Sequence, residues 1–527
     1  MSPKNIPQNS NYKWIVMVIV MIGMIMSMLD ASIVNVSIPA IMADFGSNVA
    51  DIQWVVTAYM LAFAVLMPLT AWLRDRVGHK ILYSVSLLVF VVGSLLCGLA
   101  WNIPSLIAAR VIQALGGGAM NPTGMAMIAE VFEPKERGKA MGLFGMGIIV
   151  GPAFGPTLGG YLTMAFGWRS IFLINLPIGI FAIFMALRML VNDKPHANSK
   201  RPFDLWGFIF LTIFLLSFLL GISKGEQEGW TSNYVMTCAA LSVFGFFGFL
   251  ITESLVKDRI MDLSLFKYSV FSISMLVSAI RSVALFGSIF LLPLFLQQLK
   301  GLSAMQCGMI MLPGSLIIAF CMPIIGWVSD KASPRFLSFA GMLCLLYSMY
   351  AYRDISIYMS NWDIIFPTLI RGVGMSLLMA PIMTLALNSV PRSKAGMASS
   401  MMAIIQQVGG AVGIAILSTV LDARSKFHIS TAASTINLSS SAAIDSLKGL
   451  MVRAHELGLT RMESAAAAKA ALIKFVIIAQ TSFAFQDAFI FATLMILLAL
   501  IPVFLLPNKP IIHHPDEAIP KGVVLVD

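Results

Sequence analysis

The sequence predicts an all-α integral membrane protein that crosses the bilayer fourteen times. Charged residues make up only 11% of the 527 residues, whereas a soluble globular domain carries roughly a quarter. Apolar residues make up 58% of the chain, and the mean hydropathy is +0.87. At about 20 residues per crossing, fourteen helices need roughly 280 residues, which leaves the remainder for loops and tails.

The fourteen predicted helices are apolar segments long enough to cross a bilayer. The first follows Lys4 and Lys13, as in a signal peptide, but it continues past Asp30 to Pro39 without a small-x-small cleavage site. We therefore expect an uncleaved first helix. In chain order the segments are 14–39, 52–73, 81–101, 104–130, 139–164, 168–190, 205–222, 232–253, 268–297, 304–329, 336–352, 363–387, 395–421 and 485–507.

The basic residues predict the orientation of these helices. If the N-terminus is cytoplasmic, the cytoplasmic segments hold 21 Lys and Arg residues. The six short outer loops hold only Arg169, Lys224, Lys300 and Arg353. Because cytoplasmic loops carry the excess of basic residues, both tails, 1–13 and 508–527, are predicted to be cytoplasmic.

The remaining outer segment, 422–484, is a long loop. A Ser/Thr-rich stretch around Ser430–Ser441 and the run Ala465–Ala471 predict a linker followed by a helix. Two interpretations stay open for it: an insertion that the fold tolerates, or a docking surface for a periplasmic partner.

An internal repeat relates the two parts of the chain. Shifted by 255 residues, the stretch 68–80 aligns its proline, tryptophan, aspartate and two basic positions with the stretch 323–335. Both copies lie on predicted cytoplasmic turns, where a carboxylate can pair with neighbouring basic side chains and separate when two halves of a transporter move. The predicted gate residues are Asp75, Arg76, Lys80, Asp330, Lys331 and Arg335.

Three further motifs carry a family resemblance. They are the stretches 29–39, with Asp30 and Asn35, 110–118, with Arg110 and Gln113, and 147–160, rich in Gly and Pro. Together with the repeated turn, they resemble the signatures of the fourteen-span drug:H⁺ antiporter branch of the major facilitator superfamily. The match covers nearly the whole chain.

This resemblance implies the architecture and the activity. It implies six-helix halves at 14–190 and 261–507, with an extra helix pair inserted within 191–260. It also implies a bacterial inner-membrane antiporter that exports lipophilic drugs, uses the proton gradient and needs no cofactor. Resemblance to Emr-type pumps implies a periplasmic adaptor protein and an outer-membrane channel as partners at 422–484.

The 147–160 stretch places small residues on one helix face. The glycines recur every fourth residue, so another backbone can approach closely, and the prolines add bends. The family resemblance favours a role in antiport, while close packing without a gating role is the alternative. The residues concerned are Gly147, Gly151, Pro152, Gly155, Pro156 and Gly159.

Ionisable side chains within membrane spans are costly, and they are therefore functional candidates. Asp30 is the only carboxylate predicted deep in the bilayer, and helix arithmetic places Arg110 at a similar depth. We expect Asp30 to bind the coupling proton, with Arg110 favouring the charged form in one conformation and releasing it in another. The structural alternative is that Asp30 braces the first helix and Arg110 satisfies backbone carbonyls.

Two further arginines, Arg281 and Arg371, also fall inside spans. If all four charged groups face the cavity, the site is net positive and favours anionic or neutral lipophilic compounds over dications. Asn35, Gln113 and Gln297 are further candidates for the cavity wall.

Other classes of protein lack their sequence signatures. The chain has no GxxxxGK[ST] loop for nucleotide-driven transport, no HExxH or GxSxG motif of an enzyme, and no basic block for nucleic acid. Its five cysteines and six histidines have no metal-ligand spacing. A channel or receptor remains compatible with composition, and a dedicated exporter of an amino acid, siderophore or similar metabolite is the alternative within the same scaffold.

Overall fold

The computed structural model describes residues 10–47, 49–192, 202–256, 259–391, 394–435, 441–458 and 460–509. This part of the chain consists of α-helices joined by short turns and two 3₁₀ segments. The seventeen helices are α1 (Ser10–Phe45), α2 (Val49–Leu66), α3 (Leu69–Val77), α4 (His79–Gly98), α5 (Ile103–Val131), α6 (Arg137–Phe166), α7 (Ser170–Leu173), α8 (Asn175–Met189), α9 (Leu205–Glu228), α10 (Asn233–Leu255), α11 (Ser269–Gln298), α12 (Ala304–Ser329), α13 (Pro334–Ala351), α14 (Asn361–Asn388), α15 (Ala395–Thr435), α16 (Ser441–Glu456) and α17 (Arg461–Val503).

Local sequence signals explain where many helices begin and end. Asn102 and Ser303 form capping boxes at the starts of α5 and α12, so backbone N–H groups of the first turn have acceptors. Gly78 and Gly167 end α3 and α6 with positive φ angles that other residues rarely adopt. The outer faces carry exposed apolar side chains such as Phe320, as expected for helices that contact lipid.

Ten of the described helices are long and apolar enough to cross a membrane. The count rises to eleven if α2 and α3, which meet at an angle of 55° near Pro68, form one bent span. The chain is therefore a multi-pass membrane protein. The predicted number of fourteen spans is not confirmed, although described helices overlap each of the fourteen predicted segments.

The predicted outer loop is more helical than expected. α15 continues past residue 421 to Thr435, and α17 begins at Arg461, so both helices extend into the segment 422–484. Asp487 on α17 binds Arg424 and His428 on α15, each at 2.6 Å. The expected linker is helical over 430–435, and residues 436–440 lie outside the described part of the chain.

Close contact between α6 and α12 holds the two predicted halves together at one end of the bundle. We call this the α6/α12 end: α6 begins there at Arg137, and α12 ends there at Ser329. Gly142 of α6 faces the backbone of Met322 and Gly326, which leaves no space for a side chain. Hydrogen bonds from Arg137 to Asn388 and between Thr70 and Ser400 join the halves at the same end.

Candidate functional site

Asp30 lies at the centre of a buried polar network in the first half. Its side chain is fully buried in the middle of α1. Arg110 of α5 donates to Oδ2 at 2.5 Å, and the amides of Gln113 and Asn175 donate to Oδ1 at 2.8 and 3.0 Å. Both carboxylate oxygens therefore accept hydrogen bonds, as a buried charge requires.

The guanidinium of Arg110 is held on several sides. It donates to the side-chain oxygen of Gln113 at 2.6 Å and lies 3.8 Å from the ring centroid of Tyr59. Ser94 accepts from Gln113 and Asn175, at 2.6 and 3.2 Å, and so joins α4 to the network. α1 and α5 bring Asp30 and Arg110 together, and Gln113, predicted as part of the cavity wall, joins them; the role of these residues in coupling stays a prediction.

Sequence reasoning missed Asn175, Ser94 and Tyr59. Asn175 begins α8 directly after the break at Ile174, and a lone amide in the apolar run 168–190 was the available signal. Hydroxyl and amide side chains are common enough in membrane helices that their presence alone identifies no site.

Removing Arg110 alone should destabilise the protein strongly. In R110Q the buried carboxylate loses its counter-charge, and breaking such a pair costs about 3–5 kcal/mol. The double variant D30N/R110Q leaves no unpaired charge and should recover more than half of this loss. Thermal unfolding of the purified variants in one detergent measures the effect, and strictly additive losses would contradict the pairing.

The other predicted charges do not join this network. Arg281 and Arg371 are 2% and 6% exposed, and each has at least one guanidinium nitrogen without a hydrogen-bond partner. Arg281 has only a long contact of 3.4 Å to Ser278. The described contacts therefore pair Arg110 with Asp30 and leave Arg281 and Arg371 outside this pair, and whether all four groups face one cavity stays a prediction.

Two further cavity candidates lie outside the Asp30 network, and their place in a substrate cavity stays a prediction. Asn35 and Gln297 are exposed. Gln297 lies in the last turn of α11, and its side chain is within hydrogen-bonding range of Cys307. Neither residue contacts the network around Asp30.

A cavity of about 350 Å³ lies where α2, α9, α11 and α15 meet. Its wall is predominantly apolar, with Gln407 as its single amide side chain. Lys224 of α9 donates to Gln53 of α2 at 3.1 Å, and Trp230 donates to Thr419 of α15 at 3.1 Å, so the α9 region bridges both halves beside the cavity. The other lining residues are Thr57, Met60, Leu61, Leu219, Ile222, Ser223, Phe290, Ala411, Ile414, Ala415 and Ser418.

In the second copy of the predicted gate, the aspartate binds backbone N–H groups at the start of another helix. Asp330 accepts hydrogen bonds from the backbone N–H groups of Gly138 and Lys139, at 2.7 and 3.1 Å, at the start of α6. Such unpaired N–H groups favour a carboxylate. Among the described residues no ion pair joins Asp330 to Lys331 or Arg335, and the role of these residues as a gate stays a prediction. Lys331 lies over a tryptophan ring, and Arg335 donates to the carbonyl of Leu506.

The first copy of the gate differs from the second. Asp75 accepts hydrogen bonds from its neighbour Arg74, at 2.5 and 2.9 Å, instead of pairing with Arg76 or Lys80. Arg76 lies over the Trp72 ring at 5.1 Å. Arg74 points to the start of α15, where its guanidinium occupies the space beside Gly396.

Acidification should favour closure of the α6/α12 end through Asp330. Burial raises the pKa of this carboxyl to about 6, even though the N–H groups of Gly138 and Lys139 and the charge of Lys331 lower it, while Glu136 raises it further. When the end opens and water reaches Asp330, the pKa falls towards its ordinary value near 4. The closed state therefore binds more protons, and it loses stability as the pH rises through about 4 to 6.

Spin-label distances between Lys135→Cys and Ser333→Cys measure this effect. We expect the short-distance population to increase as the pH falls from 7 to 5, and D330N to remove the dependence. D354N changes an exposed carboxylate and is the matched control. A pH response that persists unchanged in D330N would contradict the assignment.

The small-residue stripe of α6 packs against α1. Gly151 and Gly155 leave space for Met28, Leu29 and Ser32, which surround Asp30 on α1, and Gly147 and Gly159 lie against Met21 and Ile33. The side chains of Pro152 and Pro156 lie outside the described residues. The stripe therefore fixes the helix that carries the buried carboxylate, an arrangement compatible with both interpretations of it.

Sequence comparison identifies relatives over most of the chain. The family described as the Major Facilitator Superfamily matches residues 20–414. A multidrug resistance protein B homolog of Mycobacterium tuberculosis is 31% identical, over 93% of this chain and 89% of its own. The multidrug transporter MdtP of Bacillus subtilis is 32% identical (77% and 74%), and the riboflavin transporter RibZ of Clostridioides difficile is 35% identical (77% and 88%).

Solved structures share the fold at low sequence identity. The human organic anion transporter MFSD10 superposes with a TM-score of 0.60 at 14% identity, covering 93% of this chain and 99% of its own. The proton:xylose symporter XylE superposes with a TM-score of 0.59 at 12% identity, covering 95% and 98%. These similarities show the arrangement of the helices.

Proposed function

Because this chain belongs to the major facilitator superfamily, we propose that it is a proton-coupled antiporter that exports lipophilic compounds. Membership makes it a multi-pass membrane transporter and not an enzyme. Relatives named as multidrug resistance proteins support drug efflux as the activity. The substrate, the coupling ion and the direction of transport are parts of the proposal.

The observation that carries the proposal is the buried carboxylate of Asp30. It is fully buried in a membrane helix and held by one cation and two amide donors. An ionisable carboxyl group within a membrane span costs free energy, and such groups are typically retained for proton or ion coupling. Protonation of Asp30 would release Arg110 and remove the tie between α1 and α5, so proton binding would change which conformation is favoured.

Contacts at the α6/α12 end support an alternating-access cycle. The halves join there through Asp330, Gly138 and the Gly142 contact, whereas α9 bridges α2 and α15 beside the cavity. In the proposed architecture, six-helix halves at 14–190 and 261–507 rock about this cavity, and the pair α9–α10 is inserted between them. Fourteen spans remain part of this proposal.

The proposed location is the bacterial inner membrane, with both termini in the cytoplasm. The distribution of Lys and Arg supports this orientation. No cofactor enters the proposal, since the proton gradient supplies the energy. The helical extensions of α15 and α17 would face the periplasm and contact an adaptor protein linked to an outer-membrane channel. Export that continues after removal of the segment 422–484 would argue against the adaptor.

A dedicated metabolite exporter is the second candidate. The observation that favours it is the riboflavin transporter relative, which at 35% identity is at least as similar as the multidrug relatives named here. A transporter of one metabolite would protect cells against few compounds, whereas a polyspecific pump would protect against many. Growth inhibition across a chemically diverse compound panel, with and without the gene, separates the two.

Transport in proteoliposomes tests the central proposal. The purified protein is reconstituted, a pH difference is imposed with the membrane potential held at zero, and movement of a fluorescent lipophilic substrate is followed together with internal pH. The proposal expects substrate movement against its gradient and an opposite flow of protons. Substrate flux without any proton flow would overturn proton coupling.

A further inference from the structure

Helix α9 forms one wall of the 350 Å³ cavity, and α2, α11 and α15 form the others. The lining residues of α9 are Leu219, Ile222 and Ser223, whose spacing puts them on one face of the helix. Another face packs on α10, where Gly245 lies against the backbone of Phe214. α9 therefore lies between α10 and the cavity, and it contacts any molecule that fills this space.

The cavity lies beyond the contacts that close the α6/α12 end. Ser400 of α15 bonds to Thr70 at that end, and Gln407, the first lining residue of α15, lies roughly 10 Å further along the helix. The last lining residue, Ser418, precedes Thr419, which accepts from Trp230. A molecule in the cavity would therefore contact both halves and α9 while this end is closed.

No charged side chain is among the described residues that line the cavity. Lys224 follows Ser223 on α9, but its ammonium group donates to Gln53. Arg110 already has Asp30 as its counter-charge. An ion of either sign would give up hydration in this cavity without gaining a counter-charge, and such a transfer is costly in free energy. The lining therefore favours an uncharged molecule.

Three lining side chains are open to hydrogen bonds with a ligand. The amide of Gln407 and the hydroxyls of Thr57 and Ser223 form no hydrogen bond within the described part of the chain. Gln407 offers an acceptor oxygen and an NH₂ donor, which a carboxamide complements with one bond of each kind. The wall is otherwise largely apolar, with Phe290 and Ile414 among its members, so the rest of the ligand is hydrocarbon.

The volume of the cavity limits the size of this hydrocarbon part. A cavity of about 150 Å³ holds a benzene molecule. The cavity beside α9 has about 350 Å³, which is enough for roughly two fused aromatic rings with one small substituent.

We propose that this cavity binds uncharged two-ring aromatic compounds that carry a carboxamide or a similar donor–acceptor group, and that α9 takes part in their recognition. This proposal rests on the proposed function, since it names the substrate class of the same transporter. Asp30 does not line the cavity. Binding therefore needs no proton gradient and can be measured separately from transport.

Four probes with the same ring system test the proposal: naphthalene-2-carboxamide, naphthalene-2-carboxylate, 2-naphthylmethylammonium and 2-ethylnaphthalene. Equilibrium dialysis against the purified protein in a neutral detergent, with protein-free micelles as the blank, measures their affinities. We expect the carboxamide to bind at least about tenfold more tightly than either ion, and about threefold more tightly than the hydrocarbon. A smaller preference over either ion would overturn the proposal.

Variants of Gln407 assign the preference to this cavity. Q407L should weaken carboxamide binding by about three- to tenfold and leave 2-ethylnaphthalene unchanged. Q407E supplies a counter-charge and should strengthen ammonium binding at least about tenfold. Q406L is the matched control, since Gln406 does not line the cavity. If Q407L does not fold, T57V removes a lining hydroxyl at nearly constant shape and should show the same selective loss. Unchanged affinities in Q407E, or in both Q407L and T57V, would overturn the site.

Tryptophan substitutions test the contribution of α9. S223W and I222W place an indole ring in the space that the ligand needs, and each should lower carboxamide affinity at least about tenfold, as overpacking does. V243W places the same side chain on an exposed position of α10 and is the control. Affinity equal to that of V243W in both variants would overturn the part played by α9.

The outcomes separate this proposal from the proposed function, because dialysis requires neither a gradient nor transport. A wild type that prefers the carboxamide but moves no protons would refute antiport and leave this site standing. Proton-driven export of a lipophilic compound, combined with equal affinity for the carboxamide and the two ions, would overturn this site and leave antiport standing.

Discussion

D30N should abolish uphill transport while the protein still equilibrates its substrate. With one proton exchanged per substrate, a pH difference of one unit supplies about 1.4 kcal/mol, which supports roughly a tenfold concentration ratio. Asparagine has nearly the same shape as aspartate and can still accept from Arg110, but it cannot take up a proton. We therefore expect the ratio to fall to about one in reconstituted vesicles, with downhill exchange preserved.

D44N is the matched control for D30N. Asp44 lies on the same helix, pairs with Arg169 at 2.8 Å and is about half exposed. Its replacement changes the net charge equally without touching the buried network, so the concentration ratio should equal that of the wild type. Full proton-driven accumulation by D30N would remove Asp30 from coupling and favour its role as a brace for α1.

The length and apolarity of the segments predicted many helices to within a few residues. The segment predicted at 304–329 coincides with α12, and that at 268–297 differs from α11 by one residue at each end. The prediction was less accurate at 422–484, where α15 and α17 continue as helices beyond the apolar segments predicted at 395–421 and 485–507. Apolarity detects burial in a bilayer, and it does not detect a helix that continues into water.

The sequence identified the two charged residues of the buried network but not all of its polar members. Asp30 and Arg110 stand out because ionisable groups in membrane spans are few, and the rise per residue placed them at one depth. Asn175 could not be found this way, since an amide at the start of a helix is common. The position of α9 beside the cavity depends on how separate helices pack, which the linear pattern does not contain.

The partner of Asp330 shows a second limit of sequence patterns. The repeated turn placed this carboxylate next to basic residues along the chain, and the expected partners were therefore Lys331 and Arg335. Its partners in the structure are N–H groups of Gly138 and Lys139, about 190 residues away. The start of α6 has no side-chain cap, so only the folded arrangement identifies its N–H groups as the partner of Asp330.

G142A should prevent closure of the α6/α12 end. A Cβ atom at this position would collide with the carbonyl oxygen of Met322 and lie 3.1 Å from the Cα atom of Gly326. Both are backbone atoms, so α6 and α12 must separate. Overpacking of this kind costs about 1–3 kcal/mol, which shifts the equilibrium between closed and open states by roughly 5- to 150-fold. Transport should fall accordingly, because each cycle requires this end to close.

The position of Ser329 reports the state of this end directly. Ser329 is 3% exposed next to Asp330, so a cysteine placed there reacts with a water-soluble maleimide only when the end opens. In a background without the five native cysteines, S329C should react faster when combined with G142A. G160A is the control on the same helix, since the nearest atom to its Cβ is 3.9 Å away, and it should change neither labelling nor transport. If G142A labels and transports like G160A, this contact does not control closure, and the α6/α12 end cannot be the gate.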